Sequence, residues 1–189
     1  IENEDLGQLA NIFTNLKKNT LPLAALGIPE KVVNSNVKWR SPSSDFCKKI
    51  AEFSKKFSTK NPYKFLKILC EGDGSKRLPI KLPKDGEPVF FPKTDTVISV
   101  IGLSCLGKPI KETLFRYELL PNLTSLDNYF IKSLQSADIV TTDFLYRLCL
   151  SEKGLRKNIT SQKFCIIFNQ ADILDEKALA EVITLRNQL

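Results

Sequence analysis

Two carboxylates and several cations lie close together in the sequence, directly after the apolar segment Phe65 to Cys70. The carboxylates are Glu71 and Asp73, each followed by a glycine, and the cations are Lys76, Arg77 and Lys81. Glycine lets the backbone turn sharply and approach a ligand closely. Carboxylates at the carboxyl end of a parallel strand are a common place for Mg²⁺ and phosphorylated ligands.

This pattern predicts that Glu71 and Asp73 bind a metal ion and that the three cations contact phosphates or another anion. Arginine would contribute a bidentate donor and lysine a point charge. The alternative is a surface turn in which the two acids pair with Lys76 and Arg77.

A second candidate site follows the apolar segment Lys163 to Phe168 and reads Asn169-Gln170-Ala171-Asp172. Many GTP-binding proteins end a core strand with Asn-x-x-Asp, in which the Asp carboxylate accepts hydrogen bonds from the guanine base. The usual second residue is lysine, and here it is Gln170. The pattern predicts that Asn169 and Asp172 bind a purine base. Asn and Asp are also common turn and cap residues, which is the alternative interpretation.

Two further charged residues are candidates. Arg116 could contact a phosphate from across the site, or form an ordinary ion pair with Glu112 or Glu118. Glu87 could support the site or contact a partner.

The phosphate-binding loop Gly-x-x-x-x-Gly-Lys-[Ser/Thr] does not occur in the sequence. The segment Gly102 to Pro109 comes close, but Pro109 stands where Ser or Thr is needed and offers no hydroxyl for magnesium. We interpret this segment as a turn.

Apolar periodicity predicts strands that alternate with helices. The expected helices are Leu6–Leu16, Asp45–Phe57, Leu126–Leu134, Asp143–Leu150 and Asp175–Leu189; the expected strands are Phe65–Cys70, Thr96–Gly102, Ile139–Thr141 and Lys163–Phe168. Thr20–Pro42 and the proline-rich stretch Leu78–Lys93 are expected to be connections, the latter with an extended edge. This order predicts an α/β fold with a doubly wound, mostly parallel sheet and helices on both faces. Both candidate sites would then open on one edge of the sheet.

Composition excludes several classes of function. The 189 residues contain no histidine, so histidine-based triads, histidine general bases and histidine–metal sites are excluded. Five scattered cysteines read as reduced structural thiols. No apolar run is long enough to cross a bilayer, and no secretory signal is present, so we expect a cytoplasmic protein. The net charge of +7 suits an anionic partner, although no dense basic run favours nucleic acid.

Taken together, the motifs resemble those of the YqeC family, accessory proteins of selenium-dependent molybdenum hydroxylases. The matching segments fall in the family's order over roughly residues 66–189: Glu71-Gly72-Asp73-Gly74-Ser75, Leu78-Pro79-Ile80-Lys81-Leu82-Pro83, Glu87-Pro88-Val89, Val100-Ile101-Gly102-Leu103, Leu106-Gly107-Lys108-Pro109, Phe115-Arg116, Gly154-Leu155 and Asn169-Gln170-Ala171-Asp172. The chain departs from the family at Gly72, where Ala is common, and at Phe115, where a His usually precedes the arginine.

The resemblance implies a bacterial, cytosolic, P-loop NTPase-like fold and a role in maturing a molybdenum hydroxylase or its cofactor. Because the family's Gly-Gly-Lys-Thr loop is missing, we expect residues 1–189 to form a single P-loop-type domain that is incomplete at its N-terminus. The resemblance also allows for a last strand of the family's fold that is missing at the C-terminus. NTPase activity would require the phosphate loop.

The expected ligand is a purine nucleotide, GTP or ATP, with Mg²⁺ at the carboxyl edge of the sheet. Expected partners are a molybdenum hydroxylase or selenium-handling proteins. The alternative is a non-enzymatic carrier or scaffold that binds an anionic pterin cofactor or a protein partner through the same basic loop. RNA binding driven by the positive charge is a third, weaker alternative.

Overall fold

A computed structural model describes residues 5–14, 28–33, 36–60, 68–123 and 138–189. The described residues form helices and small parallel sheets, which makes the fold α/β. The chain divides into two compact units, the first comprising residues 1–69 with 91–93 and the second residues 70–90 with 94–189. All of the predicted site residues lie in the second unit. That the whole chain is one P-loop-type domain stays a prediction.

In the first unit the described residues form helices and a hairpin. Helix α1 spans Leu6–Thr14, strands β1 and β2 span Ile28–Val33 and Asn36–Arg40, and helix α2 spans Ser44–Lys60. Both predicted helices are confirmed, and Ser43 caps α2 because its Oγ accepts a hydrogen bond from the Phe46 amide at 3.2 Å. Phe46 and Ile50 form the buried core of this unit.

The hairpin corrects the prediction that Thr20–Pro42 is only a connection. Strands β1 and β2 pair antiparallel, with Val33 opposite Asn36. The segment contains Val32, Val33 and Val37, and β-branched side chains favour extended backbone. These valines favour strands even though prolines and asparagines, which favour turns, occur in the same segment.

The predicted strand Phe65–Cys70 is wrong where the structure describes it. Residues 68–70 are irregular and Leu69 is 89% exposed, while residues 65–67 lie outside the described ranges. Ile68 instead packs against the core of the first unit from an irregular segment. Its apolar character therefore reflects burial of a side chain without a strand, and Glu71 and Asp73 follow a loop.

In the second unit, β4 (Thr96–Gly102) and β6 (Lys163–Asn169) are parallel, with Thr96 opposite Lys163 and Gly102 opposite Asn169. Both predicted strands are confirmed. One face of the pair is partly exposed, since Ile98, Val100 and Ile167 are 50%, 56% and 45% exposed. Alternate side chains of a strand point to opposite faces, and only one face of this pair lies against the core.

A second parallel pair joins β3 (Ile80–Lys81) to β5 (Leu114–Phe115). Strand β3 lies inside the proline-rich segment that was expected to be loop and extended edge. The Gly102 amide donates to the Pro79 carbonyl at 2.9 Å, which connects the start of β3 to the end of β4. The described strands form separate pairs, so the doubly wound, P-loop-like sheet is not established.

The described part of the second unit also contains helices α3 (Ile110–Thr113), α4 (Thr142–Leu150) and α5 (Glu176–Gln188). The predicted helices over α4 and α5 are confirmed. Thr141 caps α4 by accepting from the Phe144 amide at 3.2 Å, and Asp175 caps α5 by accepting from the Ala178 amide at 2.8 Å.

Other predictions hold only in part. The expected strand Ile139–Thr141 is reduced to isolated bridges, Val140 with Leu106 and Ile139 with Pro109. On α5, Val182 and Leu185 are buried. Leu179 and Ile183 on the same helix are exposed. The predicted helix Leu126–Leu134 lies outside the described residues.

The core of the second unit contains apolar side chains from almost every described element of that unit. Its most completely buried members are Ile80, Leu82, Ile101, Leu103, Cys105, Ile110, Leu114, Val140, Leu145, Leu148, Cys149 and Leu185. This core supports the ends of β3 and β5, where the charged residues lie. None of the described helices has the length and apolarity needed to cross a membrane.

Candidate functional site

Lys81, at the end of β3, is the most deeply buried charged residue of the site. Its side chain is 8% exposed, and its Nζ lies 3.0 Å from Asp73 Oδ2 and 2.7 Å from Glu87 Oε2. A buried ammonium group is costly unless it is paired and hydrogen-bonded. Two carboxylates therefore compensate one lysine.

Glu87 also binds Arg116 through two hydrogen bonds. Arg116 Nη1 donates to Oε2 at 2.6 Å and Nη2 donates to Oε1 at 3.1 Å. The prediction that Arg116 pairs with Glu112 or Glu118 is wrong. Arg116 follows β5 with a left-handed backbone (φ 66°), and from this position its ion pair is with Glu87.

The ion pair between Glu87 and Arg116 shifts the pKa of both groups. The hydrogen bond from Arg116 is the largest cause and lowers the pKa of Glu87 to about 2; burial opposes it, and the hydrogen bond from Lys81 lowers the pKa further. The hydrogen bond with Glu87 raises the pKa of Arg116. Asp73, Lys81, Glu87 and Arg116, which we call the ion-pair cluster, thus contain two anions and two cations that balance.

The Phe115 ring lies next to three cations. The ring centroid is 4.7 Å from Arg116 Cζ, 5.0 Å from Lys76 Nζ and 6.0 Å from Lys81 Nζ. Cations within about 6 Å of an aromatic face are attracted by its quadrupole. Phe115 therefore supplies an aromatic surface for these cations without a titrating group.

Lys76 and Arg77 occupy a tight turn. The Leu78 amide donates to the Ser75 carbonyl at 3.0 Å, and Lys76 and Arg77 have φ values of 51° and 65°. Both side chains are exposed, and neither makes an ion pair with any residue that the structure describes. A turn is therefore present, as in the alternative interpretation, but Asp73 pairs with Lys81 rather than with these two cations.

Hydrogen bonds from residues that sequence reasoning missed stabilise the loop that contains Glu87. Lys157 Nζ donates to the Lys84 carbonyl at 2.8 Å, and Asn158 Nδ2 donates to the Glu87 carbonyl at 3.4 Å. The Val89 amide donates to the Gly72 carbonyl at 3.3 Å. No local sequence signal could reveal the contacts of Lys157 and Asn158, because the two segments are far apart in the chain.

The Asn-x-x-Asp segment lies at the carboxyl end of β6. Asn169 Oδ1 accepts from the Gln170 amide at 2.9 Å, Gln170 has φ 64°, and Asp172 is exposed. Gln170 lies close to Gly102, which also contacts Pro79 just before β3. No hydrogen bond or ion pair among the described residues joins Asn169 or Asp172 to the ion-pair cluster.

The structure brings Asp73, Lys76, Lys81 and Arg116 together but leaves Glu71 exposed and outside the ion-pair cluster. No group of three or more His, Cys, Asp or Glu side chains in the described ranges could bind a metal ion. Mg²⁺ often needs only one or two carboxylates when phosphates supply other oxygens. Magnesium binding by Glu71 and Asp73 stays a prediction.

The cysteines make no disulfide in the structure. Burial raises the pKa of Cys105 to about 11 and that of Cys149 to about 12. At neutral pH these two thiols are protonated and weakly nucleophilic, which fits packing rather than chemistry.

A family model described as YqeC protein matches residues 11–118. The chain belongs to the YqeC family. The YqeC match includes the whole ion-pair cluster, Phe115 and the turn at Lys76 and Arg77, but it ends before Asn169 and Asp172. No curated protein and no solved structure matches the chain.

Proposed function

We propose that this YqeC-family protein is an accessory protein in the maturation of a selenium-dependent molybdenum hydroxylase or its cofactor, and that it binds a purine nucleotide with Mg²⁺. The observation that carries the proposal is the group of three cations, Lys76, Lys81 and Arg116, around the Phe115 ring. Two carboxylates balance Lys81 and Arg116, while Lys76 and its neighbour in the turn, Arg77, are exposed and have no carboxylate partner among the described residues. Such an arrangement attracts phosphates.

In this proposal Lys76, Arg77, Lys81 and Arg116 provide the positive field for the phosphates of GTP or ATP. Glu71 and Asp73 bind Mg²⁺, and Asn169 and Asp172 contact the base. The proposed location is the cytoplasm, and the proposed partner is a molybdenum hydroxylase or a selenium-handling protein. Nucleotide hydrolysis is not part of the proposal, since residues 1–189 lack the phosphate loop that would orient the γ-phosphate.

A second candidate function is a carrier or scaffold without catalytic activity, which binds an anionic pterin or a protein partner. The engagement of Asp73 by Lys81 favours it, because a carboxylate in an ion pair at 3.0 Å is a poorer metal ligand than a free one. In this case binding would use the same cations and would not depend on magnesium.

The test is a titration of the chain with fluorescent GTP and ATP analogues, each with and without Mg²⁺. Magnesium-dependent binding supports the nucleotide proposal. Binding of neither nucleotide overturns it, and magnesium-independent binding of an anionic pterin would then favour the carrier.

Base recognition has its own test, the Asp172→Asn variant, because the carboxylate is the group that distinguishes guanine from adenine. We expect a reduced preference for GTP over ATP. Asp143→Asn is the matched control, since Asp143 is exposed on α4 and pairs with Arg147. An unchanged preference in Asp172→Asn would remove Asn169 and Asp172 from the site while leaving phosphate binding intact.

A further inference from the structure

The four cations assigned to anion binding fall into two classes in the structure. Lys81 and Arg116 are 8% and 16% exposed and contact carboxylate oxygens at 2.6 to 3.1 Å. Lys76 and Arg77 are exposed and have no carboxylate partner among the described residues. A phosphate would have to displace Glu87 or Asp73 to contact Lys81 or Arg116. It would not have to displace a paired carboxylate to contact Lys76 or Arg77.

From this division we infer that the direct phosphate contacts of the site are made by Lys76 and Arg77, and that the ligand group they recognise is a multiply charged phosphate such as a diphosphate. Lys81 and Arg116 are supporting residues that position the loop and Phe115. This inference rests on the proposed function, and it assigns distinct roles to residues that the sequence could only group together.

The backbone of the turn is consistent with this role. Positive φ at both central residues is the pattern of a type I′ turn, for which Asn-Gly is the favoured pair and long side chains are unfavourable. A Lys-Arg pair in this position places two cationic side chains next to each other on strained backbone. Strain of this kind concentrates at ligand-binding segments.

The turn is also fastened on both sides. Gly72, before it, accepts a hydrogen bond from Val89, and Pro79, after it, accepts one from Gly102. Lys76 Nζ lies 5.0 Å from the Phe115 ring centroid. The backbone of the turn and the Lys76 charge are therefore preorganised, which reduces the entropy that would be lost when a ligand orders them.

The chemistry of the pair suits a diphosphate better than a single carboxylate. Arginine offers a planar fork of donors for two oxygens of one phosphate, and lysine offers a point charge for a neighbouring oxygen. Two unpaired positive charges match a ligand with at least two negative charges. Inorganic pyrophosphate carries this group without a base or sugar, and so isolates this contact from base recognition.

The deciding experiment measures pyrophosphate and GTP affinity by calorimetry for the whole chain and for the double variant Lys76→Asn with Arg77→Gly. This variant removes both charges but places the favoured Asn-Gly pair in the turn, so that the backbone is preserved and thermal stability should be equal or higher. We expect at least a tenfold loss of affinity for both ligands. The matched control is Lys49→Gln with Lys56→Gln, which removes two exposed charges from α2; we expect less than a twofold change.

The outcomes separate this inference from the proposed function. Unchanged affinity in the Asn-Gly variant, with normal binding by the native chain, overturns the inference and leaves the nucleotide proposal standing. Pyrophosphate binding that the Asn-Gly variant loses, without nucleotide binding by the native chain, supports the inference and overturns the nucleotide proposal. Binding of neither ligand by the native chain overturns both.

A second variant tests the supporting role of the ion-pair cluster. Glu87→Gln frees Lys81 and Arg116 from their shared carboxylate. If those two cations were the phosphate contacts, their release would tighten pyrophosphate binding, whereas we expect no tightening when binding is measured below the variant's melting temperature. A tenfold gain in affinity would overturn our assignment.

Discussion

The carboxylate of Glu87 pairs with two cations, Lys81 and Arg116, and both of these side chains are largely buried. It reaches Arg116 through both oxygens and Lys81 through one of them. Removing one member of a partly buried ion pair is more damaging than removing an exposed one, because the remaining charge loses its compensation. The consequences of changing this side chain are therefore large and measurable.

We expect Glu87→Gln to reduce the free energy of unfolding by about 2–3 kcal/mol, since Lys81 would keep only Asp73 and Arg116 would lose its bidentate partner. Urea unfolding monitored by circular dichroism measures this change. Asp85→Asn serves as the control, because Asp85 is fully exposed at 3.4 Å from Lys157; it should unfold like the native chain. Equal stability of Glu87→Gln and Asp85→Asn would contradict the prediction.

Stability should also fall at acid pH because of the same carboxylate. The pKa of Glu87 is about 2 in the folded chain, compared with an ordinary value of 4.5. Between these values the unfolded chain binds the extra proton, so the stabilisation from Glu87 is complete above about pH 5 and is lost as the pH falls toward 2.

The measurement is the urea midpoint of the native chain and of Glu87→Gln at a series of pH values. The difference between the two should be constant from neutral pH to about pH 5 and then shrink. A difference that stays constant down to pH 2.5 would show that Glu87 does not carry this dependence.

The elements that position the site are short. Strands β3 and β5 have two residues each, and the loop from residue 82 to 90 is fastened by Lys157 and Asn158 from a distant part of the chain. Strand β4 contributes through one close contact, where Gly102 approaches Pro79. The site therefore depends on contacts between elements more than on any one element.

Gly102→Ala tests that dependence. An added Cβ would lie 2.9 Å from Pro79 Cβ and 2.9 Å from Gln170 Oε1, which is too close for unstrained packing. We expect a loss of about 1–3 kcal/mol in the free energy of unfolding, as for overpacked sites. The control is Gly74→Ala, whose Cβ would lie 3.6 Å from the nearest atom, Glu71 Oε1. Thermal melting compares the two, and equal melting temperatures would argue against the close approach.

At the scale of the whole molecule, the net charge of +7 influences which partners approach. The positive side chains are distributed over both compact units; α2 of the first unit, for example, contains Lys48, Lys49, Lys55 and Lys56. Dispersed positive charges attract anions to the whole chain. Specific contacts with an anion form only where the fold places cations next to each other, as at the turn of Lys76 and Arg77.

We therefore expect only a modest salt dependence of nucleotide binding. Two phosphate-contacting cations predict a loss of about tenfold or less between about 50 and 200 mM salt, whereas a nucleic-acid surface with 6–10 contacts would lose about 10³–10⁵-fold. Parallel titrations with a GTP analogue and a single-stranded RNA at the two salt concentrations measure this. Tight RNA binding with the steep dependence would favour the RNA alternative instead.

The sequence by itself determined the elements whose signals are local. Helices α1, α2, α4 and α5 and strands β4 and β6 follow from apolar periodicity, β-branched runs and cap residues such as Thr141 and Asp175. It also gave the family, because the motifs around Glu71 and Lys81 are specific. It failed at Phe65–Cys70, where apolar side chains indicated burial but not the hydrogen bonding of a strand.

Only the tertiary structure decided which charges neutralise one another. The sequence does not distinguish the four cations Lys76, Arg77, Lys81 and Arg116 as partners for a carboxylate. Nothing around Glu87 indicates that it pairs with Arg116, which is 29 residues away in the chain. The ion pairs depend on the ends of β3 and β5 being brought side by side, which is a long-range effect of core packing. Local propensity determines which segments are regular, whereas the packing of those segments determines that Lys81 and Arg116 are paired and that Lys76 and Arg77 are left exposed.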